Sequence, residues 1–161
     1  MRAWRLVKAE FVKNAFTGDG ARLAGGRWNP KGVPVVYTSS SLALATLELL
    51  VHADDDLLPE NLMSFAVDIP DDIAVEHVAI DDLPPNWKDY PPPEALQDIG
   101  AAWFARRASA VLAVASAVIP EESNFLLNPG HPDFSCISWI DPQPFQFDSR
   151  LQRSHGSPKL I

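Results

Sequence analysis

The spacing of short apolar runs limits what this sequence can fold into more than any other feature. Runs with β-type composition recur along the chain, at residues 2–8, 35–38, 62–69, 74–80, 111–115, 125–127, 137–140 and 144–147. Helical periodicity predicts two helices, one from a cap at residues 39–41 to about residue 52 and one over residues 94–107. Regular crossover helices do not separate the strands, which argues against a doubly wound parallel sheet. The pattern therefore predicts a mixed α+β fold with a split, two-layer β core and flanking helices.

A single domain accounts for the length and composition. The chain has 161 residues, of which 47% are hydrophobic and 21% are charged, as in ordinary folded proteins. We expect the domain to span residues 1–151, and the mostly polar residues 152–161 to form a tail. No apolar run is long enough to cross a bilayer and residues 1–5 lack the core of a signal peptide, so we expect a cytoplasmic protein without membrane contact.

The cysteine and charge content narrow the function classes. Cys136 is the only cysteine, so an internal disulfide is impossible and the thiol pairs of a structural zinc site are lacking; we expect no metal ion. The formal net charge is -8 and the basic residues are scattered, which argues against direct binding of nucleic acid. An acidic protein that binds an anionic ligand must concentrate positive charge locally, as Arg22, Arg27 and Lys31 do.

Residues 25–48 carry the strongest functional signal. Gly25 and Gly26 allow a sharp turn or a close approach to a ligand, and Arg27 follows them. A guanidinium binds two phosphate oxygens at once, so Arg27 beside backbone N–H groups fits a pyrophosphate. Tyr37 ends a predicted strand, where its ring could stack on a base or a nicotinamide. The alternatives are a salt-bridged surface arginine and a core tyrosine.

Glu48 lies within a strongly apolar helix. Helical pitch gives this helix one stripe formed by Ser41, Ala45, Glu48 and His52. If the stripe faces water, Glu48 is a solvated acid. If it faces a cleft, the carboxylate can bind a ribose hydroxyl and stabilise positive charge at an anomeric carbon. Ser116 ends a buried run, and without a G-x-S-x-G context we interpret it as a hydrogen-bond donor and not as a nucleophile.

These residues resemble the motifs of the RES-domain family, the toxin half of RES–Xre toxin–antitoxin pairs. The family is named for an arginine, a glutamate and a serine. The similar segments are residues 25–29 (Gly-Gly-Arg-Trp-Asn) with Pro34, 37–38, 42–48, 114–116, 124–134 and 144–151. The resemblance covers about residues 3–151. Two serines, Ser116 and Ser123, compete for the serine of the motif.

The resemblance implies a fold similar to that of ADP-ribosyltransferases, and an enzyme that depletes NAD⁺ by cleaving the nicotinamide–ribose bond. NAD⁺ is then the substrate, and no cofactor is implied. The implied catalytic residues are Arg27 on the phosphates, Tyr37 on the nicotinamide, Glu48 on the ribose and its oxocarbenium-like transition state, and Ser116 near the nicotinamide or ribose. The implied substrate-binding residues are Gly26, Arg27, Trp28, Tyr37 and Asn128.

The resemblance also implies partners and leaves the acceptor open. The expected partner is an Xre-family antitoxin that blocks the active-site cleft, and the toxin is expected to form a homodimer. Water or phosphate can accept the ADP-ribose. Transfer to a protein is a second enzymatic alternative, ranked lower because Thr46 stands two positions before Glu48, where arginine-directed transferases often have an acid. A non-catalytic module that engages a partner is the third alternative.

Overall fold

The structure, a computed structural model, describes residues 1–52 and 58–151. The predicted tail, residues 152–161, lies outside the described residues. Within them the chain forms the strands β1 Arg2–Lys8, β2 Val36–Ser39, β3 Leu62–Asp68, β4 Val75–His77, β5 Val111–Ala115, β6 Ser123–Leu127, β7 Ser138–Trp139 and β8 Gln143–Phe145. It also forms the helices α1 Asp19–Ala24, α2 Leu42–Leu50 and α3 Glu94–Arg106. The α+β class predicted from the sequence is confirmed.

The strands of the described residues form one curled sheet. Their order is β4-β5-β6-β2-β1-β3-β7, and β8 also pairs with β3. Neighbouring strands are antiparallel except β4 and β5, which are parallel. β1 pairs with β3 along its length but with β2 only through Trp4 and Ser39. The sheet therefore divides between β1 and β2 into two halves.

Two hydrophobic clusters cover opposite faces of the half that contains β2, β5 and β6. Successive side chains of a strand point to opposite faces, so each of these strands contributes to both clusters. One cluster joins them to β1 and β3 and includes Ala3, Val36, Val67, Val111 and Leu127. The other lies under α3 and includes Trp28, Leu96, Trp103, Leu112 and Leu126. Tyr37 packs against this second cluster, which places its ring on the α3 side of the sheet.

The helix and strand ends differ from the prediction where the pattern is weak. α2 begins after Ser41, whose hydroxyl accepts a hydrogen bond from the Leu44 amide at 3.0 Å, and ends at Leu50, before the predicted residue 52. α1 was not predicted, because its six residues are too few to show a helical period. The predicted strand at residues 74–80 shortens to Val75–His77, at the edge of the sheet. In the described ranges no helix has the length and apolar character needed to cross a bilayer.

Helix α3 approaches the backbone of Trp28 at Gly100. A Cβ built on Gly100 would lie 1.7 Å from the Trp28 carbonyl oxygen and 2.9 Å from its carbonyl carbon. Trp28 is buried with Leu96 and Trp103 in the cluster under α3. Only glycine therefore allows the helix to lie this close to the segment that follows Arg27.

We predict that Gly100→Ala lowers the free energy of unfolding by about 3 kcal/mol or more, because backbone must move to admit one methyl group. Urea denaturation followed by circular dichroism measures the change. Gly20→Ala in α1 is the matched control, since nothing lies within 4 Å of a Cβ built there. We expect this control to gain about 0.5–1 kcal/mol. Equal stability of the two variants would contradict the close contact at Gly100.

Candidate active site

A cavity of about 690 Å³ lies between α2, the glycine turn and the neighbouring strands. This volume is in the range of small-molecule sites. The polar and charged side chains used below, Arg5, Arg27, Tyr37, Glu48 and Asn124, all line it. Arg22 and Lys31, which the sequence grouped with Arg27, do not; Arg22 instead pairs with Asp19 at the surface at 3.0 Å.

Tyr37 holds the glycine turn in place. Its hydroxyl donates to the Asn29 Oδ1 atom at 2.7 Å and accepts from the Trp28 amide at 3.1 Å. A Cβ built on Gly26 would lie 2.7 Å from the same hydroxyl, so this position has no room for a side chain. Burial raises the pKa of Tyr37 above its ordinary value, against the opposing effects of the Trp28 amide and the Arg27 charge. The phenol therefore stays protonated and neutral at physiological pH.

Arg27 is anchored to the proline-rich loop of residues 83–93. Its Nη1 atom donates to the carbonyl oxygens of Trp87 at 2.7 Å and Asp89 at 3.2 Å. Burial lowers the pKa of Arg27, and the negative charge of Glu48 acts in the opposite direction. The guanidinium is thus half-buried, held from one side and electrostatically coupled to Glu48.

Glu48 is held firmly and does not point into bulk solvent. Its Oε1 atom accepts hydrogen bonds from the Ser116 hydroxyl at 2.7 Å and from the Asn124 carboxamide at 2.5 Å. Ala45 and His52, which share its helical stripe, also line the cavity. The stripe therefore faces a cleft, which is the second of the two arrangements that the sequence left open.

Ser116 lies behind Glu48 and not in the cavity. The residue is fully buried, and its Oγ atom accepts from the amides of Val118 and Ile119, each at 3.0 Å. Ser116 is a hydrogen-bond donor, as interpreted from the sequence, and it donates to Glu48, whereas the resemblance implied a contact near the nicotinamide or ribose. Ser123 lies in β6, opposite Ala115, and among the described residues only Ser116 of the two donates to Glu48.

Of the predicted binding residues, Gly26, Arg27, Trp28 and Tyr37 line the cavity and Asn128 does not. The Trp28 ring is packed in the cluster under α3 and only borders the cavity. Asn128 does not line the cavity at all, because it follows the opposite end of β6 from Asn124. Its side-chain Oδ1 atom accepts from the Gly130 backbone amide at 2.9 Å. Its backbone N–H donates to the Ala110 carbonyl, also at 2.9 Å. We therefore correct the placement of Asn128 from the site to a turn.

Arg5 is the charged residue of the cavity that sequence reasoning missed. Its Nη1 atom donates to the Tyr37 carbonyl at 2.6 Å, while its Nε atom is buried without a hydrogen-bond partner in the part of the chain that the structure describes. Burial lowers the pKa of Arg5 to about 10. No carboxylate of the described residues lies within 4.0 Å of it. The sequence does indicate its burial, because Arg5 alternates with Ala3 and Val7 along β1 and so shares their buried face of the strand.

Asn124 is the second residue that was missed as part of the site. It lies in β6, lines the cavity and donates to Glu48, and its Oδ1 atom accepts from the Ser39 hydroxyl at 2.7 Å. The site therefore combines two guanidinium groups, a buried phenol and one oriented carboxylate. Such a set can bind an anionic ligand and stabilise positive charge that develops beside Glu48. No group of three or more metal-ligating side chains occurs in residues 1–52 and 58–151.

A comparison with protein-family models identifies the family of the chain. The family model described as RES domain matches residues 2–148. The chain belongs to the RES-domain family. A curated member, "Toxin Res" of Yersinia enterocolitica, is 39% identical over 153 residues, which cover 94% of this chain and 100% of that protein.

Two further relatives and one solved structure extend the comparison. "Toxin Res" of Photorhabdus laumondii is 39% identical over 96% of this chain and 99% of that protein. "Prs ADP-ribosylating toxin" of a Sphingobium species is 34% identical over 93% of this chain and 96% of that protein. A chain of the M. tuberculosis MbcT-MbcA toxin-antitoxin complex has the same fold, with a TM-score of 0.68 and 17% identity, over 89% of this chain and 83% of that chain.

We predict that Arg5→Met abolishes binding of inorganic pyrophosphate while the protein stays folded. The substitution removes a buried cation that has no carboxylate partner in residues 1–52 and 58–151, so the melting temperature should fall little or rise. Isothermal titration calorimetry and thermal unfolding measure the two effects. Arg2→Met on the same strand is the control, because Arg2 forms only an exposed ion pair with Asp68 at 2.9 Å. Undiminished pyrophosphate affinity in Arg5→Met would contradict the role of this guanidinium.

Proposed function

We propose that this protein is a toxin of a toxin–antitoxin system that cleaves the nicotinamide–ribose bond of NAD⁺. The observation that carries the proposal is the Glu48 carboxylate, which is held by two donors and lies in one cavity with Arg5 and Arg27. The relatives named "Toxin Res" and "Prs ADP-ribosylating toxin" support it. NAD⁺ acts as substrate, and no cofactor takes part.

The two arginines account for recognition of the pyrophosphate. Arg5 lines the cavity, and its one hydrogen bond to the described residues goes to the Tyr37 carbonyl, so its guanidinium charge is available to a phosphate group. Arg27 is fixed by two carbonyl oxygens on one side, which pre-orients the rest of its guanidinium. The Tyr37 ring forms part of the cavity wall and offers a flat surface to the nicotinamide ring.

The chemistry requires charge stabilisation more than proton transfer. The bond between C1′ of the ribose and the ring nitrogen breaks, and its electron pair neutralises the cationic nicotinamide. Positive charge develops on C1′ and the ribose ring oxygen, where the Glu48 carboxylate stabilises it. Water then adds at C1′ and releases its proton, which gives ADP-ribose and nicotinamide. Phosphate in place of water gives a phosphorylated ADP-ribose. A general acid is unnecessary because the leaving group already carries the charge.

The proposed partner is an Xre-family antitoxin that covers the cavity, and the proposed state of the free toxin is a homodimer in the cytoplasm. The structural neighbour, a chain of a toxin-antitoxin complex, supports an antitoxin partner. A non-catalytic role would require only this partner, and it predicts that substitutions in the cavity leave toxicity intact.

Transfer of ADP-ribose to a protein is the second candidate function. The observation in its favour is the Sphingobium relative, which is named an ADP-ribosylating toxin. Thr46, two positions before Glu48, argues against an arginine acceptor, because it stands where a second acid would be needed. Its hydroxyl donates to the Leu42 carbonyl at 2.7 Å. Mass spectrometry of the NAD⁺ products, with and without phosphate and with cell lysate, separates hydrolysis, phosphorolysis and transfer.

We predict that Glu48→Gln lowers the rate of nicotinamide release by about 10²–10³-fold, because the neutral amide no longer stabilises the developing charge. The substitution keeps the side-chain shape, and circular dichroism checks the fold. Glu121→Gln is the control, because Glu121 is exposed and does not line the cavity. Nicotinamide release is followed by chromatography.

Two results would refute the proposed function. The first is absence of nicotinamide release by the folded wild-type protein at high concentration. The second is a Glu48→Gln variant that is as active as Glu121→Gln. In a toxicity assay the same pair separates catalysis from partner binding, since only the Glu48 variant should lose toxicity.

A further inference from the structure

We propose that Asn124 is a positioning residue that must donate a hydrogen bond to Glu48 for the site to work. This inference rests on the proposed function. Its geometric basis is the contact between the Asn124 Nδ2 atom and the Glu48 Oε1 atom, at 2.5 Å. Asn124 acts on the carboxylate and through it on the reaction.

The orientation of the Asn124 carboxamide follows from its two neighbours. The Ser39 hydroxyl donates to Oδ1 at 2.7 Å, and Nδ2 faces Glu48. A flipped carboxamide would place its oxygen against a carboxylate oxygen, an arrangement with two acceptors and no proton between them. The nitrogen therefore faces Glu48, and the contact is a charge-assisted hydrogen bond.

The backbone of Asn124 is well placed for this task. Asn124 pairs with Ser39 of β2 on one side and with Val114 of β5 on the other, so it lies inside the sheet and not at its edge. Glu48 lies on α2, and the hydrogen bond therefore fixes the helix side chain to the sheet. A rigid support of this kind is what holds a catalytic group in its productive direction.

Both donors to Glu48 bind the same carboxylate oxygen. Ser116 and Asn124 each donate to Oε1, and no donor from the described residues binds Oε2. Oε2 is consequently the oxygen left for the cavity, which Arg27 also lines and in which the proposed substrate would bind. With the hydrogen bond from Ser116 alone, the Glu48 carboxylate could still rotate about its Cγ–Cδ bond. The hydrogen bond from Asn124 arrives from a second direction and restricts this rotation.

A change of Asn124 to aspartate tests the requirement for a donor, because the two side chains have nearly the same shape. In Asn124→Asp, two carboxyl groups face each other and hold one proton between them at low pH. The introduced carboxyl group, when protonated, then donates to Glu48 as the amide did. At higher pH both groups ionise and repel, and the support is lost.

The pH response of this pair must be compared with the other charged and titratable groups around it. Arg27 on the glycine turn, Arg5 on β1 and Tyr37 on β2 line the same cavity, as does His52, which follows the end of α2. Asn124→Ala leaves all of these titratable groups in place and removes the donor to Glu48, together with the acceptor of the Ser39 hydroxyl. The comparison of the two variants therefore isolates the effect of the added carboxyl group.

We expect Asn124→Asp to keep kcat within about tenfold of wild type near pH 5.5 and to lose about 100-fold near pH 8.5. Asn124→Ala should lose about 100-fold at both pH values, with KM changed much less than kcat. Asn86→Asp is the matched control, an exposed asparagine outside the cavity, and it should follow wild type throughout. Melting temperatures at each pH show that the variants stay folded.

Two results would overturn the inference. One is an Asn124→Asp profile parallel to that of wild type. The other is equal impairment of Asn124→Asp and Asn124→Ala at every pH, which would indicate a structural role alone. Carboxyl ¹³C NMR gives a second readout without activity, because Asn124→Asp should gain a shared titration that Asn86→Asp lacks. If wild-type protein releases no nicotinamide, the proposed function fails, and the NMR titration still decides the contact.

Discussion

The hydrogen bonds to Glu48 are the constraint on which the site depends. An acid within an apolar helix must find donors where the helix packs on the sheet, because a buried charge without partners destabilises the fold. Ser116 and Asn124 supply these donors at 2.7 Å and 2.5 Å. The contacts that satisfy the carboxylate also fix its direction. Packing of α2 on the sheet and assembly of the site are therefore the same event.

Arg5, unlike Glu48, is a charge whose burial lowers the stability of the fold. Its guanidinium donates one hydrogen bond to the Tyr37 carbonyl, and its Nε atom is buried without a partner. Burial lowers its pKa to about 10, which is the sign of a charge that the surroundings do not fully stabilise. Under the proposed function, a phosphate group bound in the cavity partly compensates this charge, so the occupied protein is more stable than the empty one.

Sequence patterns predict a helix or strand when neighbouring residues along the chain determine it. They do not predict a residue's place in the site when that place depends on which strands pair. The alternation of β1 and the apolar run of β5 are local, so both strands were predicted with their observed bounds. Arg27 and Glu48 flank one short strand, which made their proximity predictable. Arg5 and Asn124 reach the cavity only through the register of β1, β2 and β6. That register also separates Asn124 from Asn128, two asparagines whose local contexts look equally suitable.

The incomplete pairing of β1 with β2 explains where the cavity lies. Trp4 and Ser39 form the registered pair between these strands in the described sheet, and beside it Arg5 bonds the Tyr37 carbonyl at 2.6 Å. On the other side of β2, toward β6, the Ser39 hydroxyl donates to the Asn124 Oδ1 atom at 2.7 Å. A continuous ladder between the strands would bring them about 4.8 Å apart along their length and leave no space for a guanidinium. The division of the sheet is thus a requirement of the site. It allows Arg5 from one half of the sheet to line the same cavity as Asn124 from the other half, which supports the Glu48 carboxylate.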